Sequence, residues 1–338
     1  MRQPFWLVVC VVAASVASAG EPPRKVVGTL DFFGLRHLNE SDLRAHLDFK
    51  EGDPFQRAIA DAEVRELEKL PRIQRATLAS ITTDGSGQVH LFIGIQETGT
   101  KGFVFRPKPT GDVRLPARLA LAYRDCMALW GETVKRQAQE DESQGHSLSS
   151  YPPMRQTEEV IIGLMKDSVA VVKDVLKNAS SNDDRIAAAW LLGYAPDKSA
   201  VITDLIAAAR DTNPKVRNNA TRALSSISVL AAAKPELGIH IDPTVFIEML
   251  DSVVWTDRNK ASFVLERLTR GSSSELLVLL RERSLPDLSD IARWKSEGHG
   301  LVGGLILGRI AGWSDEHTMK AWSEGHREDI IAAAAAVH

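Results

Sequence analysis

The chain has 338 residues, 44% of them hydrophobic and 25% charged, which supplies apolar surface for two globular units and excludes a wholly disordered protein. Its 41 basic and 44 acidic residues leave a formal charge of −3, too mild to favour nucleic acid or an anionic membrane surface as partner. The first nineteen residues read as a signal peptide: Arg2 gives a positive start, Phe5 to Val12 a short apolar run, and Ala17-Ser18-Ala19 a small-residue cleavage site. Export is therefore expected. That apolar run falls short of the roughly 20 residues a spanning helix needs, and no later stretch is apolar enough. Loss of Cys10 with the leader leaves Cys126 as a single thiol, so the fold rests on buried apolar surface without an internal disulfide.

Residues 24–98 carry signals for an α+β module. Val26 to Phe33 is a β-branched and aromatic run closed by Gly34. Asn39 and Ser41 offer caps for a helix from Asp42 to Leu47, and Gly52-Asp53-Pro54 stops it and starts another. In that second helix Phe55, Ile59, Ala62, Val64 and Leu67 fall on one side, and Pro71 ends it. Two alternating runs, Ala76 to Ile81 and Val89 to Ile95, flank Asp84-Gly85-Ser86-Gly87 and read as a hairpin.

The resulting order, β-α-α-β-β, resembles a POTRA domain, the small module of outer-membrane assembly and secretion proteins. Phe33-Gly34-Leu35, the passage from Leu47 to Phe55, Leu70-Pro71-Arg72-Ile73 and Glu97 carry the resemblance. It implies recognition of extended peptides or neighbouring domains, partly by adding a strand to a sheet edge. The expected edge runs from Arg75 to Thr83 and presents Arg75, Thr77, Ala79 and Ile81; the alternative is an edge covered by the rest of the chain. POTRA-bearing assembly proteins usually continue into a β-barrel. No succession of alternating segments of about 10 residues follows residue 98, so a pore is not expected.

Residues 99–155 read as a linker with one amphipathic helix. Pro107 and Pro109 suit an extended start. From Leu115 onward, Leu119, Ala122, Tyr123, Cys126, Met127 and Trp130 recur at helical spacing, which makes Cys126 a core residue. The stretch Gln139 to His146 places acidic residues near a histidine and reads as a solvated helix end with a turn.

Residues 156–338 repeat. Arg185, Arg217 and Arg258 each have an alanine three positions on (Ala188, Ala220, Ala261) and a leucine seven on (Leu192, Leu224, Leu265), with a weaker copy at Gly300, Gly303 and Leu307. The intervals are 32, 41 and 42 residues, and amphipathic segments precede the copies, the first marked by Ile161, Met165, Val172 and Leu176. Asp183-Asp184-Arg185, Asn213-Pro214-Lys215-Val216-Arg217 and Asp257-Arg258 resemble HEAT repeats, which implies an all-α helix-pair solenoid, an α-α superhelix with a long groove. In such stacks the repeated arginines bridge helix ends. A shortened last pair is expected from Asp315 to Glu324 and from Arg327 onward.

Five and nine positions after the repeated arginines stand Trp190, Arg222 and Phe263, and then Tyr194, Ser226 and Arg267. Offsets that differ by four share a helix face, so these residues form a row rich in interface-type side chains. The row reads as a protein-binding ridge or as packing against a neighbouring repeat or the connector helix. No phosphate loop, nucleophile elbow, paired cysteines or metal-ligand spacing is present, so no cofactor and no catalysis are expected. The sequence thus predicts an exported, non-enzymatic adaptor of a bacterial cell envelope that binds protein partners. The alternative is an accessory protein of an enzyme, because some HEAT-like repeats occur in lyase-type proteins acting on bilin-protein linkages.

Overall fold

A computed structural model describes residues 25–82, 87–270 and 274–337. The predicted signal peptide and most of the predicted turn at Asp84 to Gly87 lie outside the described residues. The chain opens with β1 (Val26–Phe33), α1 (Glu40–Arg44), α2 (Arg57–Glu66), β2 (Ile73–Ile81) and β3 (Gln88–Glu97). The strands form a mixed sheet of order β1-β3-β2, with β1 parallel and β2 antiparallel to β3. A register shift between Val27 and Thr29 lets Val27 join Leu30 and Phe32 on the helix-facing side. There they share a core with Leu43, Val64, Leu91 and Ile93. One expectation changes. The buried side of α2 is Ala60 and Val64, continued by Leu67, whereas Ile59 is half exposed and Ala62 exposed. Spacings of four and three keep the buried set on one stripe, which Ile59 and Ala62 miss.

A helical series follows, interrupted by one small hairpin: α3 (Ala117–Lys135), β4 (Glu140–Asp141), β5 (Leu148–Ser149), α4 (Pro152–Met165), α5 (Val169–Asn178), α6 (Asn182–Leu192), α7 (Ile202–Ala208), α8 (Pro214–Ala233), α9 (Thr244–Met249), α10 (Trp255–Leu268), α11 (Ser274–Ala292), α12 (Glu297–Ile310), α13 (Asp315–Ser323) and α14 (Arg327–Ala335). The helix predicted through Ile161 to Leu176 is two helices, α4 and α5. The fold is thus an α+β amino-terminal part followed by an all-α part. Local chemistry sets several starts. Ser181 Oγ accepts from Asp184 N–H at α6, Ser314 does the same for His317 at α13, and Asn213 caps α8 ahead of Pro214.

The described residues fall into two compact units that do not follow chain order. The first lies within Met1–Gly102, Leu250–Asn259 and Ser274–His338; the second comprises Phe103–Met249 and Lys260–Ser273. In the first unit the sheet face turned away from α1 and α2 is covered by aromatic side chains from far along the chain. Phe92 stacks on Trp255 with ring centroids 4.6 Å apart and meets Trp294 edge-on at 5.4 Å, and Phe33 meets Trp294 at 6.1 Å. Gly94 makes this approach possible, since a Cβ there would stand 2.0 Å from the Val253 carbonyl oxygen. The glycines of α12 work similarly: a Cβ on Gly303 would press on α11, and one on Gly304 or Gly308 would press on Trp322 or Thr318 of α13.

The repeated arginines occupy equivalent positions. Arg185 Nη1 donates to the Ala179 carbonyl at 2.8 Å, Arg217 Nη1 to Asp211 at 2.8 Å, and Arg258 Nε to Ser252 at 2.6 Å. Each therefore reaches the carbonyl six residues upstream and ties its helix to the turn before it. These carbonyls lie at or just past the end of the preceding helix, and burying them without donors would be costly.

Candidate interaction site

In the first unit β2 lies at the sheet edge, as expected for Arg75, Thr77, Ala79 and Ile81. The same unit also occupies much of that edge. Ala76 N–H donates to Glu68 Oε1 at 2.9 Å, Arg57 Nη2 donates to the Leu78 carbonyl at 3.0 Å, and Arg57 Nη1 donates to Ser80 Oγ. Arg75 is exposed, Thr77 donates its hydroxyl to the Val253 carbonyl at 2.6 Å, and Ala79 and Ile81 are half-buried. The opposite edge is also engaged. Val27 N–H donates to Asp53, Gly52 N–H donates back to Val27, and the Leu30 carbonyl accepts from Arg44 and Lys295. Hooks of this kind, from side chains and from the Gly52–Asp53 backbone, blunt an edge against uncontrolled strand addition.

In the second unit the predicted row comes together, and the connector covers it. Trp190 and Tyr194 are 6% and 4% exposed. Trp190 meets Trp130 of α3 edge-on at 5.5 Å, and the Arg222 guanidinium lies 5.0 Å from both indole rings. Arg267 donates to Glu142 Oε2 at 2.6 Å and to the Ser225 carbonyl, Arg222 pairs with Glu140, and Ser226 Oγ donates to Glu142 at 2.7 Å. Phe263 is half-buried. The stretch Gln139 to His146 is accordingly not a solvated helix end. It forms the outgoing arm and turn of the β4–β5 hairpin, and two of its carboxylates sit on the row. Spacing alone could not reveal this, because the partners lie 82 and 125 positions apart.

Burial sets the ionisation beneath that hairpin. It pushes Glu158 upward and raises Tyr194 well above its usual value, with the Tyr194 hydroxyl donating to Glu158 Oε1 at 3.3 Å. His146 is driven down to about 4 by burial and by the charge of Lys198, whose Nζ lies 3.1 Å from His146 Nδ1. Burial brings Lys198 down to about 8. The void beside them holds about 20 Å³, room for no more than a water. Cys126, pushed up to about 12 by burial and then by Glu158, stays a thiol against Met154 Sδ at 3.7 Å.

A feature without a sequence signature is an open cavity of about 410 Å³ in the first unit, lined by Gly34, Arg36, His37, Gln96, Lys101, Asp251, Arg258 and Asp287 among others. Arg36 and Arg258 converge on Asp287, and Lys101 pairs with Asp251 at 3.0 Å. Above it, the Glu97 carboxylate accepts the backbone N–H groups of Arg36, His37 and Leu38. Burial opposes ionisation of Glu97, yet those donors hold it below the usual carboxylate range. Four separated segments supply the lining, so no local motif announces it. Among the described residues no group of three or more His, Cys, Asp or Glu side chains is placed to hold a metal ion.

Residues 169–244 match the family model described as HEAT repeats, which generally mediate protein–protein interaction. A comparison of the whole chain with curated proteins gives no match. No helix of the described residues is long and apolar enough to cross a membrane.

Proposed function

We propose that this chain is an exported adaptor of a bacterial cell envelope, binding protein partners through its HEAT-repeat surface and acting without catalysis. The observation that carries the reading is the HEAT match over residues 169–244, where α5 to α8 supply helix pairs tied by equivalent arginines. A β-α-α-β-β unit with strand order β1-β3-β2 supports a POTRA-like role for the first module. The leader pattern at residues 1–19 supports export. Docking suits this architecture because a repeat array offers extended surface, and the void beneath the hairpin has room for no more than a water.

The test is cross-linking in cells that make the tagged full-length chain, followed by purification of the envelope fraction. One protein recovered at a fixed stoichiometry, and rebinding the purified chain, supports the adaptor. Turnover of a small molecule by the isolated chain, with no such partner, would overturn it.

A further inference from the structure

The hairpin on the row is held asymmetrically. Its return side is anchored through backbone and tight packing: Ser149 N–H donates to Glu158 Oε2 at 2.7 Å, and Gly145, at φ +72°, lies where a Cβ would touch Leu230 at 3.0 Å. The outgoing arm, residues 139–144, is mostly exposed and reaches the row through the Glu140 and Glu142 carboxylates. The side chains in those two ion pairs keep 18–30% of their exposure. Partly exposed ion pairs hold weakly, whereas backbone bonds such as Ser150 N–H to the Gln139 carbonyl keep the arm joined to its return side, so the contact of the arm's carboxylates with the row is what can detach.

Beneath the arm stand Arg222 of α8 and Arg267 of α10, and Lys260 of α10 lies close enough to interact with the charges of both arginines and both glutamates. Two carboxylates face them. Asp141, the third acid of the arm, turns instead to the N–H of Ser143 at 3.0 Å. Lys260 has no ion-pair partner among the described residues; burial and then the Arg222 charge bring it down to about 8. The row thus carries more positive charge than its own arm neutralises, with the Trp130 and Trp190 rings at one end.

Building on the adaptor reading, we propose that Arg222, Lys260 and Arg267 form a docking site for an acidic segment of a protein partner, and that residues 139–144 are a tethered competitor that lifts away on binding. The charge complementarity is already displayed by the arm itself, whose Glu-x-Glu spacing meets two arginines on neighbouring repeats. A tether holds its local concentration high, so an external segment must either carry more negative charge or meet a released arm.

The experiment uses the full chain and a fluorescein-labelled peptide with the sequence of residues 138–146, read by anisotropy. Glu140→Gln with Glu142→Gln releases the arm while keeping its shape. The expected result is peptide binding at least about tenfold tighter to this variant than to the wild type, weakened by salt, and lost when Arg222→Gln and Arg267→Gln are added. Equal affinity for the wild type and the released variant, or no binding by a released variant of unchanged helical content, would overturn the proposal. If the released variant does not fold, hydrogen exchange on the wild type decides: faster exchange at residues 139–144 under excess peptide supports displacement, and unchanged exchange rejects it. A partner that cross-links equally well to the arginine-substituted chain would sink this site while leaving the adaptor reading intact.

Discussion

Arg185 and Asp211 form a two-point ion pair with both side chains fully buried: Nε lies 2.9 Å from Oδ2, and Nη2 lies 3.0 Å from Oδ1. Arg106, from the extended connector, joins the same carboxylate at 2.6 Å. Burial opposes ionisation of Asp211, but hydrogen bonds from Arg185, the Asn213 N–H and Arg106 together outweigh it and hold the group below its usual value. Removing one partner strands a buried charge, which costs about 3–5 kcal/mol. Asp211→Ala, which leaves Arg185 and Arg106 without their shared carboxylate, should therefore lose that much stability in urea unfolding. Replacing Arg185 and Asp211 together with apolar residues should not restore it, because Arg106 loses its carboxylate and the Ala179 carbonyl loses the donor Arg185 supplied.

Trp190 belongs to a seam between α6 and α3. Trp190→Ala should cost about 3–5 kcal/mol, as for other buried large-to-small changes, and should reduce the near-ultraviolet circular dichroism of the Trp130–Trp190 pair. An unchanged unfolding midpoint would place Trp190 outside the core.

The sheet face has no room for a side chain at Gly94. Gly94→Ala should destabilise the first unit by at least about 1–3 kcal/mol, because the added methyl meets a backbone carbonyl and the Phe33 ring. Tryptophan fluorescence from Trp255 and Trp294 should report the disturbance. Gly52→Ala is the comparison for backbone strain alone, since Gly52 has φ +93° and no atom within 4 Å of an added Cβ.

Asp31 supplies a pH signature. Burial pushes it from 3.8 up to about 6, against the Lys295 N–H that its Oδ2 accepts at 3.1 Å. The folded chain thus holds this proton more tightly than the unfolded chain does. Its contribution is fully present below 3.8, is lost as pH rises towards about 6, and stays lost above that. Asp31→Asn should remove this dependence. Measured by denaturation across that window, the variant should gain on the wild type with rising pH, by up to about 3 kcal/mol.

Much of the architecture was legible in the sequence, for reasons that can be traced. The spacing of Arg185, Arg217 and Arg258 exposed the repeat because each arginine serves the same carbonyl, six residues upstream. Strand order in sequence followed from alternation and from glycine and proline punctuation. The row Trp190, Tyr194, Arg222 and Arg267 followed from helical spacing, but periodicity reports a face and not what covers it. The hairpin arm, the aromatic cover on Phe92 and the cavity beside Arg36 and Asp287 all join residues remote in sequence. Such contacts leave no local pattern, and Glu140 in isolation reads like any surface acid.

The most direct test of a docking role is hydrogen exchange on the full-length chain, alone and bound to the partner recovered by cross-linking. The expected result is slower exchange along α6 and α8 with faster exchange at residues 139–144. A partner that leaves the exchange of residues 139–244 unchanged would contradict docking on the repeat surface.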